Sequence, residues 1–397
     1  MLGLAGRFSV ALWHVVGLLL IAALLVEFAP DVWRRTSRWL RYRRAERPQS
    51  AATAEAQSGA DWAVGYFDEF RRAVRVEWRA YVGWWQRPAR GRYLTLDERG
   101  LRPTPGERSW DPAAARILCF GGSTMMGMGV RDAATIPAVL ARRLTELGHR
   151  VAVSNYGQLG HNSMQETLTL QRLLKAGERI DVAVFYDGIN EMACAEQTGR
   201  ADGLFNEARR RAEFNLLNAE RRGDLLTAAL LSAVPRLMRR LRRLTGLELR
   251  GPLPSAEVDL RGIDADALAG AVIDAYWANV QLVRALAAHY AFRPLFFWQP
   301  VLASKRTKSR DEARFEADYT QHPEARRRLY KAIVAARRNH AGLNASADAI
   351  DLSALFDEIA DPLYIDLYHL AEPGTAAVAE AMLPGVAALA GAVHKDG

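Results

Sequence analysis

The feature that most constrains this chain is a regular alternation of short apolar runs with helix-length segments from residue 115 onward. The apolar runs predict buried strands at residues 117–120, 151–155, 182–186 and 294–298. The longer segments predict helices at about residues 135–147, 164–176, 264–290 and 374–390. Strands that alternate with helices of this length form βαβ units, so we expect an α/β fold with a parallel sheet covered by helices.

Polar or glycine-rich segments follow three of these predicted strands. They are residues 121–123, 157–163 and 187–190. The carboxyl ends of parallel strands meet at one edge of a sheet, and open α/β sheets bind their ligands at that edge. We therefore expect these three segments to form one site.

Ser123 is the candidate nucleophile of this site. It follows Gly121 and Gly122 at the end of the first predicted strand, and a segment that can begin a helix comes next. Glycine lets a substrate approach the backbone closely, and the first N–H groups of a helix can receive a developing negative charge. Gly-Gly-Ser after a strand is also a common simple turn, so the hypothesis depends on its partners.

Asp366 and His369 are the candidate partners. Their spacing of three residues lets the two side chains meet within one turn. Asp366 could then hold the imidazole in one tautomer while His369 takes a proton from Ser123. After the third predicted strand, the side-chain amide of Asn190 could donate a hydrogen bond to an oxyanion. The Asp-x-x-His spacing alone is also a common surface feature.

Taken in order, these residues resemble the sequence blocks of the SGNH hydrolases, also called the GDSL lipase/acylhydrolase superfamily. The four blocks are similar to residues 121–123, 155–160, 188–191 and 366–369. Two positions depart from the family pattern: Gly122 stands where the family usually has Asp, and Glu191 replaces the last Asp of Gly-x-Asn-Asp. The resemblance covers about residues 111–395 and implies a three-layer α/β/α sandwich with a parallel sheet, the flavodoxin-like SGNH hydrolase fold.

The resemblance implies a serine esterase that works by two-step acyl transfer on acyl or acetyl esters. Ser123, Asp366 and His369 are then catalytic, and the N–H groups of Ser123 and Gly160 with the amide of Asn190 form the oxyanion hole. Water releases the acyl group, or another hydroxyl takes it and makes the site an acyltransferase. No cofactor or metal is expected.

Two further positions are expected to contact the substrate. Gly122 lies beside the nucleophile in the first block. Gln299 follows the last predicted strand at the same edge of the sheet and could line the pocket, although packing of this segment in the core is the simpler interpretation. We expect both to be substrate-binding residues.

Residues 8–29 form a 22-residue stretch dominated by apolar side chains. As a helix it would be about 33 Å long, enough to cross a hydrocarbon core of about 30 Å. We predict a single-pass membrane anchor; a cleaved signal peptide is the alternative. Seven arginines follow within residues 31–50 and favour a cytoplasmic catalytic domain by the positive-inside rule. Anionic head groups could bind them at either face, which leaves the extracytoplasmic side open.

The chain is expected to divide into three parts. These are a transmembrane helix at 1–30, a basic juxtamembrane segment, linker and lead-in helix at 31–110, and the hydrolase domain at 111–397 with a helical insertion at about 196–262. Aromatic residues that recur across 61–85 predict one amphipathic helix docked on the domain.

The net charge of +8 does not indicate nucleic-acid binding. The excess comes from two arginine clusters, in residues 31–50 and 236–250, and the rest of the chain is nearly neutral. The expected partners are an ester of a lipid or an acylated glycan, and a membrane through the N-terminal helix. Two alternatives stay open: an O-acetyltransferase or acetylesterase that modifies cell-surface polysaccharide, and a catalytically silent glycan- or lipid-binding protein.

Overall fold

The computed structural model describes residues 61–107, 111–217, 258–318 and 323–393. The predicted membrane anchor and basic juxtamembrane segment lie outside the described residues, as does the larger part of the predicted helical insertion. The chain divides into two compact units, one formed by residues 49–205 and 258–397 and the other by residues 1–48 and 206–257.

The described chain begins with a helix and a hairpin instead of the single helix predicted for residues 61–85. Helix α1 spans Asp61–Ala73, and the antiparallel strands β1 (Val76–Arg79) and β2 (Gly83–Gln86) follow. The prediction is wrong beyond Ala73 because Tyr81 and Gly83 adopt positive φ, at 70° and 85°, and reverse the chain. Pairing of β1 with β2 then sets tryptophans of the two strands opposite each other.

The core of the larger unit is a parallel sheet of five strands in the order β4-β3-β5-β6-β7. The strands are β3 Ala115–Gly121, β4 Val151–Asn155, β5 Val182–Asp187, β6 Arg293–Trp298 and β7 Ala349–Asp351. The expected α/β class with a parallel sheet is confirmed. The edge strand β7 was not predicted, because three residues carry too short a pattern to reveal a strand.

Helices connect the strands and cover both faces of the sheet. The helices of the described residues that follow α1 are, in chain order, α2 Ser123–Met126, α3 Ile136–Glu146, α4 Ser163–Lys175, α5 Ile189–Thr198, α6 Glu207–Leu217, α7 Ala265–Tyr290, α8 Arg310–Asp318, α9 Pro323–Asn339, α10 Ala341–Asn344 and α11 Glu372–Val393. Helix α6 belongs to the smaller unit. Helix α5 includes the first residues of the insertion expected at about 196–262, and the insertion itself stays a prediction.

Alternating side chains of each strand enter two separate cores. Phe120 and Phe185 pack in one core with residues of α4, α7 and α9. Ile117 and Val184 pack in the other core with residues of α3 and α11. This alternation follows from the two-residue period of a strand, and it makes the unit three layers deep.

Helix α11 is the helix, among the described residues, that is long and apolar enough to cross a membrane. Its side chains Val378, Met382 and Val386 are buried in the core on one face of the sheet. We therefore interpret α11 as a core helix, and its apolar character as the result of packing.

The strand order determines where a site can form. The first parallel strand, β3, lies between β4 and β5, so the chain leaves β3 toward one side and later returns to the other. Such a switch point opens a crevice at the carboxyl ends of the strands. The segments after β3, β4 and β5 are those that the sequence marks as polar or glycine-rich.

Candidate active site

Ser123 lies at the start of a single helical turn directly after β3. Gly121 ends the strand, and Ser123 is the first residue of α2. Gly127 closes the turn with a φ of 87°, and its N–H donates to the Ser123 carbonyl at 3.0 Å. This short turn projects the buried Ser123 side chain from the carboxyl edge of the sheet.

Ser123, His369 and Asp366 form one chain of hydrogen bonds. The Ser123 hydroxyl donates to His369 Nε2 at 2.8 Å, and His369 Nδ1–H donates to Asp366 Oδ2 at 2.6 Å. Ser123 and His369 are 246 positions apart in sequence, so the fold alone brings them together. This geometry allows His369 to remove the hydroxyl proton while Asp366 holds the ring.

Asp366 also orders the loop that carries the imidazole. Its Oδ1 accepts the backbone N–H of Tyr368 at 2.9 Å and that of His369 at 2.7 Å. Desolvation raises the pKa of Asp366. The charge of His369 and the three hydrogen bonds lower the pKa by a larger amount, so it lies below its ordinary value. The carboxylate is therefore ionised whenever His369 works as a base.

A buried ion pair supports the base of the same loop. Glu312 accepts the backbone N–H groups of Leu363 at 3.0 Å and Tyr364 at 3.3 Å. Lys305 Nζ donates to both Glu312 oxygens, at 2.9 and 2.6 Å, and the two side chains are 1% and 0% exposed. The sequence alone does not reveal this pair, because Glu312 meets Leu363 and Tyr364 only in the folded chain.

Gly160 lies in the loop between β4 and α4. Its φ is 69°, and a Cβ here would lie 3.3 Å from the Phe205 ring and 3.6 Å from the Trp84 ring. The loop ends at Asn162, whose side chain caps α4 by accepting the Gln165 N–H at 3.2 Å. Within the described residues, no protein acceptor is found for the Gly160 N–H or the Ser123 N–H, so both are available to an oxyanion.

Asn190 is in the first turn of α5, after β5. Its Nδ2 donates one hydrogen bond to the His161 carbonyl at 2.5 Å, which leaves its second N–H for another acceptor. A Cβ on Gly122 would coincide with this Nδ2 atom. Glycine at position 122 therefore makes room for the Asn190 amide beside Ser123.

Glu191 joins the two loops that carry the expected oxyanion donors. One of its carboxylate oxygens accepts the Ser163 N–H at 2.7 Å, and the other accepts the Gly188 N–H at 2.9 Å. Ser163 follows the Gly160 loop, and Gly188 precedes Asn190. Glu191 thus has a structural role that the sequence alone does not reveal.

Two further carboxyl groups are buried behind this site. Glu166 and Asp187 are almost fully enclosed, near each other and near Glu191. Burial raises the pKa of both well above the ordinary value, and the charge of Glu191 raises both further. Asp187 also raises the pKa of Glu166, whereas a hydrogen bond with Glu166 lowers that of Asp187 in part. We conclude that the folded protein keeps protons on this pair at pH values where free carboxylic acids are ionised.

Gln299 lies buried beside the helical turn α2, which begins with Ser123. Its Oε1 accepts a hydrogen bond from Thr124 Oγ1 at 3.2 Å, so it contacts the residue next to Ser123. Within the described residues its Nε2 has no hydrogen-bond partner. Contact of Gln299 or Gly122 with substrate stays a prediction, as do the catalytic and oxyanion roles expected from the sequence. The part of the chain that the structure describes contains no cluster of His, Cys, Asp and Glu suited to hold a metal.

Comparison with known proteins finds similar solved structures. No family model matches the chain, and no curated protein matches it. A carbohydrate acetylesterase family member from Sinorhizobium meliloti is 17% identical over 70% of this chain and 99% of its own, with a TM-score of 0.34. An acetyl xylan esterase is 15% identical over 68% and 99%, with a TM-score of 0.34. A member of the lipolytic G-D-S-L family from Veillonella parvula is 11% identical over 68% and 97%, with a TM-score of 0.33.

Proposed function

We propose that this chain is a serine esterase of SGNH type that hydrolyses carboxylic esters by a Ser-His-Asp mechanism. The observation that carries the proposal is the continuous hydrogen-bonded arrangement of Ser123, His369 and Asp366, with separations of 2.8 and 2.6 Å. The arrangement lies at the carboxyl edge of a parallel sheet, where α/β proteins bind ligands. Its supporting loops are fixed by buried carboxylates.

The first half of the reaction forms an acyl-enzyme. His369 takes the proton of Ser123 as Oγ attacks the ester carbonyl, and the carbonyl oxygen gains the negative charge. The N–H groups of Ser123 and Gly160 and the amide of Asn190 stabilise that charge. As the tetrahedral intermediate collapses, His369 gives the proton to the departing alcohol.

The second half releases the acyl group. His369 removes a proton from a water molecule that attacks the acyl carbonyl, and then returns the proton to Ser123 Oγ. Asp366, ionised because its pKa is lowered, stabilises the imidazolium in both halves. If a hydroxyl group takes the place of water, it receives the acyl group. The same residues would then transfer the acyl group to a glycan or lipid acceptor.

The esterase is proposed to act at a membrane. Residues 8–29 are long and apolar enough to be the anchor, and the arginines of residues 31–50 favour a catalytic domain on the cytoplasmic side. A reporter fused after Gly397 tests the sidedness. Activity of a cytoplasm-dependent reporter supports the assignment, and activity of an export-dependent reporter overturns it.

Hydrolysis of p-nitrophenyl acetate tests the chemistry. We expect the full-length chain to release nitrophenol and Ser123→Ala to lose at least about 1,000-fold in kcat/KM, because the nucleophile is gone. Ser346→Ala, in the turn before β7, is the matched control and should stay within about twofold of wild type. Wild-type activity in Ser123→Ala would refute the proposal.

A further inference from the structure

The hairpin β1–β2 is fastened to the loop that carries Gly160. Strand β2 lies against residues 157–165, and the two segments exchange hydrogen bonds in both directions. The bonds run from Gln86 N to Gln158 Oε1 (2.9 Å), Gln86 Nε2 to the Gly157 carbonyl (3.1 Å), Trp84 Nε1 to the Leu159 carbonyl (2.6 Å), His161 Nε2 to the Trp84 carbonyl (3.0 Å) and Gln165 Nε2 to the Val82 carbonyl (2.6 Å). The hairpin is therefore a fixed wall of the active-site region.

The outer part of the hairpin exposes large apolar side chains. Trp78 is 77% exposed, Tyr81 in the turn is 82% exposed, and Val76 is 46% exposed. Trp78 pairs with Trp84 in the register, and directly opposed residues point to the same face of a hairpin. The Trp84 ring lies beside Gly160. The exposed side chain of Trp78 therefore lies on the hairpin face that also contacts the loop of Gly160.

The same segment is strongly basic. Residues 71–92 contain seven arginines, all exposed, and one acidic residue, Glu77. Ion pairs with Asp68, Glu77 and Glu98 account for three of the seven positive charges, those of Arg71, Arg87 and Arg90, so the segment keeps a net positive charge. Arg172 adds a further positive charge, with its guanidinium 5.9 Å from the centre of the Tyr81 ring. We call Val76, Trp78, Tyr81 and the arginines of residues 71–92 the hairpin surface.

We propose that the hairpin surface lies in the head-group region of an anionic bilayer and presents the active site to an ester carried in that membrane. Tryptophan and tyrosine are enriched at membrane–water interfaces because each has an apolar body and a polar group. Arginines near the surface are attracted by anionic head groups. The inference rests on the proposed esterase and its anchor, and it names the substrate class: a membrane-embedded ester.

Because the predicted anchor would tether the chain to the membrane, a small contact area between the hairpin surface and the bilayer is enough for binding. About 30 residues separate its end from α1, and the small, polar composition of residues 45–60 predicts a linker. A chain of that length has an end-to-end distance of about 30 Å. The hairpin surface would thus meet the bilayer at a high effective concentration, without needing strong affinity of its own.

A second copy of the chain is a less suitable occupant. A two-fold interface would bring the hairpin surface against itself. Three of the seven arginines pair with acids of the same chain. The net positive charge that is left would face the same charge on the other copy, and like charges repel. An anionic bilayer supplies the opposite charge together with an apolar layer for the aromatic rings.

A fluorescent probe at position 80 tests the proposal in the full-length protein. Ala80 is exposed in the hairpin turn, and Ala80→Cys keeps Trp78 and Tyr81. Both native cysteines, Cys119 and Cys194, are buried, so a bimane label is directed to the new thiol. Leu147→Cys, at an exposed position after α3, is the matched control site.

In nanodiscs that contain anionic lipid and a doxyl-labelled lipid, we expect quenching of the bimane in Ala80→Cys to be at least about threefold stronger than in Leu147→Cys. Equal quenching in the two variants overturns the proposal. If a soluble acidic polysaccharide changes the fluorescence of the bimane in Ala80→Cys and the doxyl lipid does not quench it, the membrane proposal is overturned in favour of a glycan partner. Loss of the chain from the nanodisc fraction contradicts the anchor as well, whereas retention without quenching contradicts the hairpin contact alone.

The variant Trp78→Ser/Tyr81→Ser tests the consequence for substrate. We expect hydrolysis of water-soluble p-nitrophenyl acetate to stay within about twofold of wild type, and hydrolysis of a long-chain nitrophenyl ester in the nanodisc to fall at least about fivefold. If hydrolysis of the soluble ester and of the nanodisc ester falls by the same factor, Trp78 and Tyr81 do not help to present a membrane ester to the active site. Absence of wild-type activity on the soluble ester would instead contradict the proposed esterase.

Discussion

The amide nitrogen of Asn190 occupies the space that a side chain on Gly122 would need. The same amide donates to the His161 carbonyl at 2.5 Å, so its position is set from both sides. The turn that begins at Gly122, the loop after β4 and the start of α5 are thus in direct contact. The arrangement predicts that small changes at this junction affect catalysis more than folding.

Gly122→Ala is expected to lower kcat on p-nitrophenyl acetate by about 100-fold. The added methyl group must displace Asn190, and loss of one oxyanion donor typically costs about that factor. Gly270→Ala is the matched control, because no atom lies within 4 Å of a Cβ there and alanine favours the helix. Wild-type kcat in Gly122→Ala would contradict the role of the Asn190 amide.

Glu191→Gln is expected to lower kcat by about tenfold or more with little change in KM. A glutamine accepts only one of the two N–H groups, from Ser163 and Gly188, that the carboxylate holds. The two donor loops then lose their fixed spacing, which matters in the transition state. Glu178→Gln, at an exposed position, should leave both constants unchanged. A rise in KM with unchanged kcat would argue against this positioning role.

Glu166→Gln is expected to stabilise the protein more at pH 8 than at pH 5. The raised pKa values of Glu166 and Asp187 mean that the folded state binds more protons than the unfolded state above about pH 4. Stability contributed by this pair is therefore present at low pH and lost as pH rises toward the folded pKa. The Tm of Glu166→Gln, measured by thermal unfolding, should exceed that of wild type by about 2 °C or more at pH 8. An equal or larger gain at pH 5 would show that the pair is not protonated in the folded state.

Lys305→Met is expected to cost about 3–5 kcal/mol of unfolding free energy, because Glu312 becomes a buried charge without its cation. The double variant Lys305→Met/Glu312→Gln should be more stable than the single variant, since it removes the unpaired charge. Urea unfolding of the three proteins measures both differences. A single variant within about 1 kcal/mol of wild type would mean that the pair does not support the loop at Leu363 and Tyr364.

The parallel sheet could be predicted because its inner strands are continuous apolar runs between helix-length segments. Strand β7 is too short to show a pattern, and its pairing with β6 comes from tertiary contact. The hairpin was mistaken for a helix because aromatic residues spaced along 61–85 suit one helix face as well as two paired strands. Helices α8 and α9 were not predicted, since their many charged residues obscure an apolar stripe.

The loops of the site could be predicted from the order of the sequence blocks, which the fold brings to one edge of the sheet. The interactions that set their spacing could not. The contact of Glu191 with Ser163 and the space left by Gly122 depend on residues distant in sequence. The catalytic roles of Ser123 and His369 stay predictions that rest on geometry.

Mass spectrometry of the full-length chain after reaction with a fluorophosphonate tests the central claim most directly. A fluorophosphonate reacts with a serine that is activated by a neighbouring base. We predict one adduct per chain on the peptide that contains Ser123, and no adduct in Ser123→Ala or at greatly reduced rate in His369→Ala. No adduct on wild-type protein, or an adduct that persists in Ser123→Ala, would contradict the account.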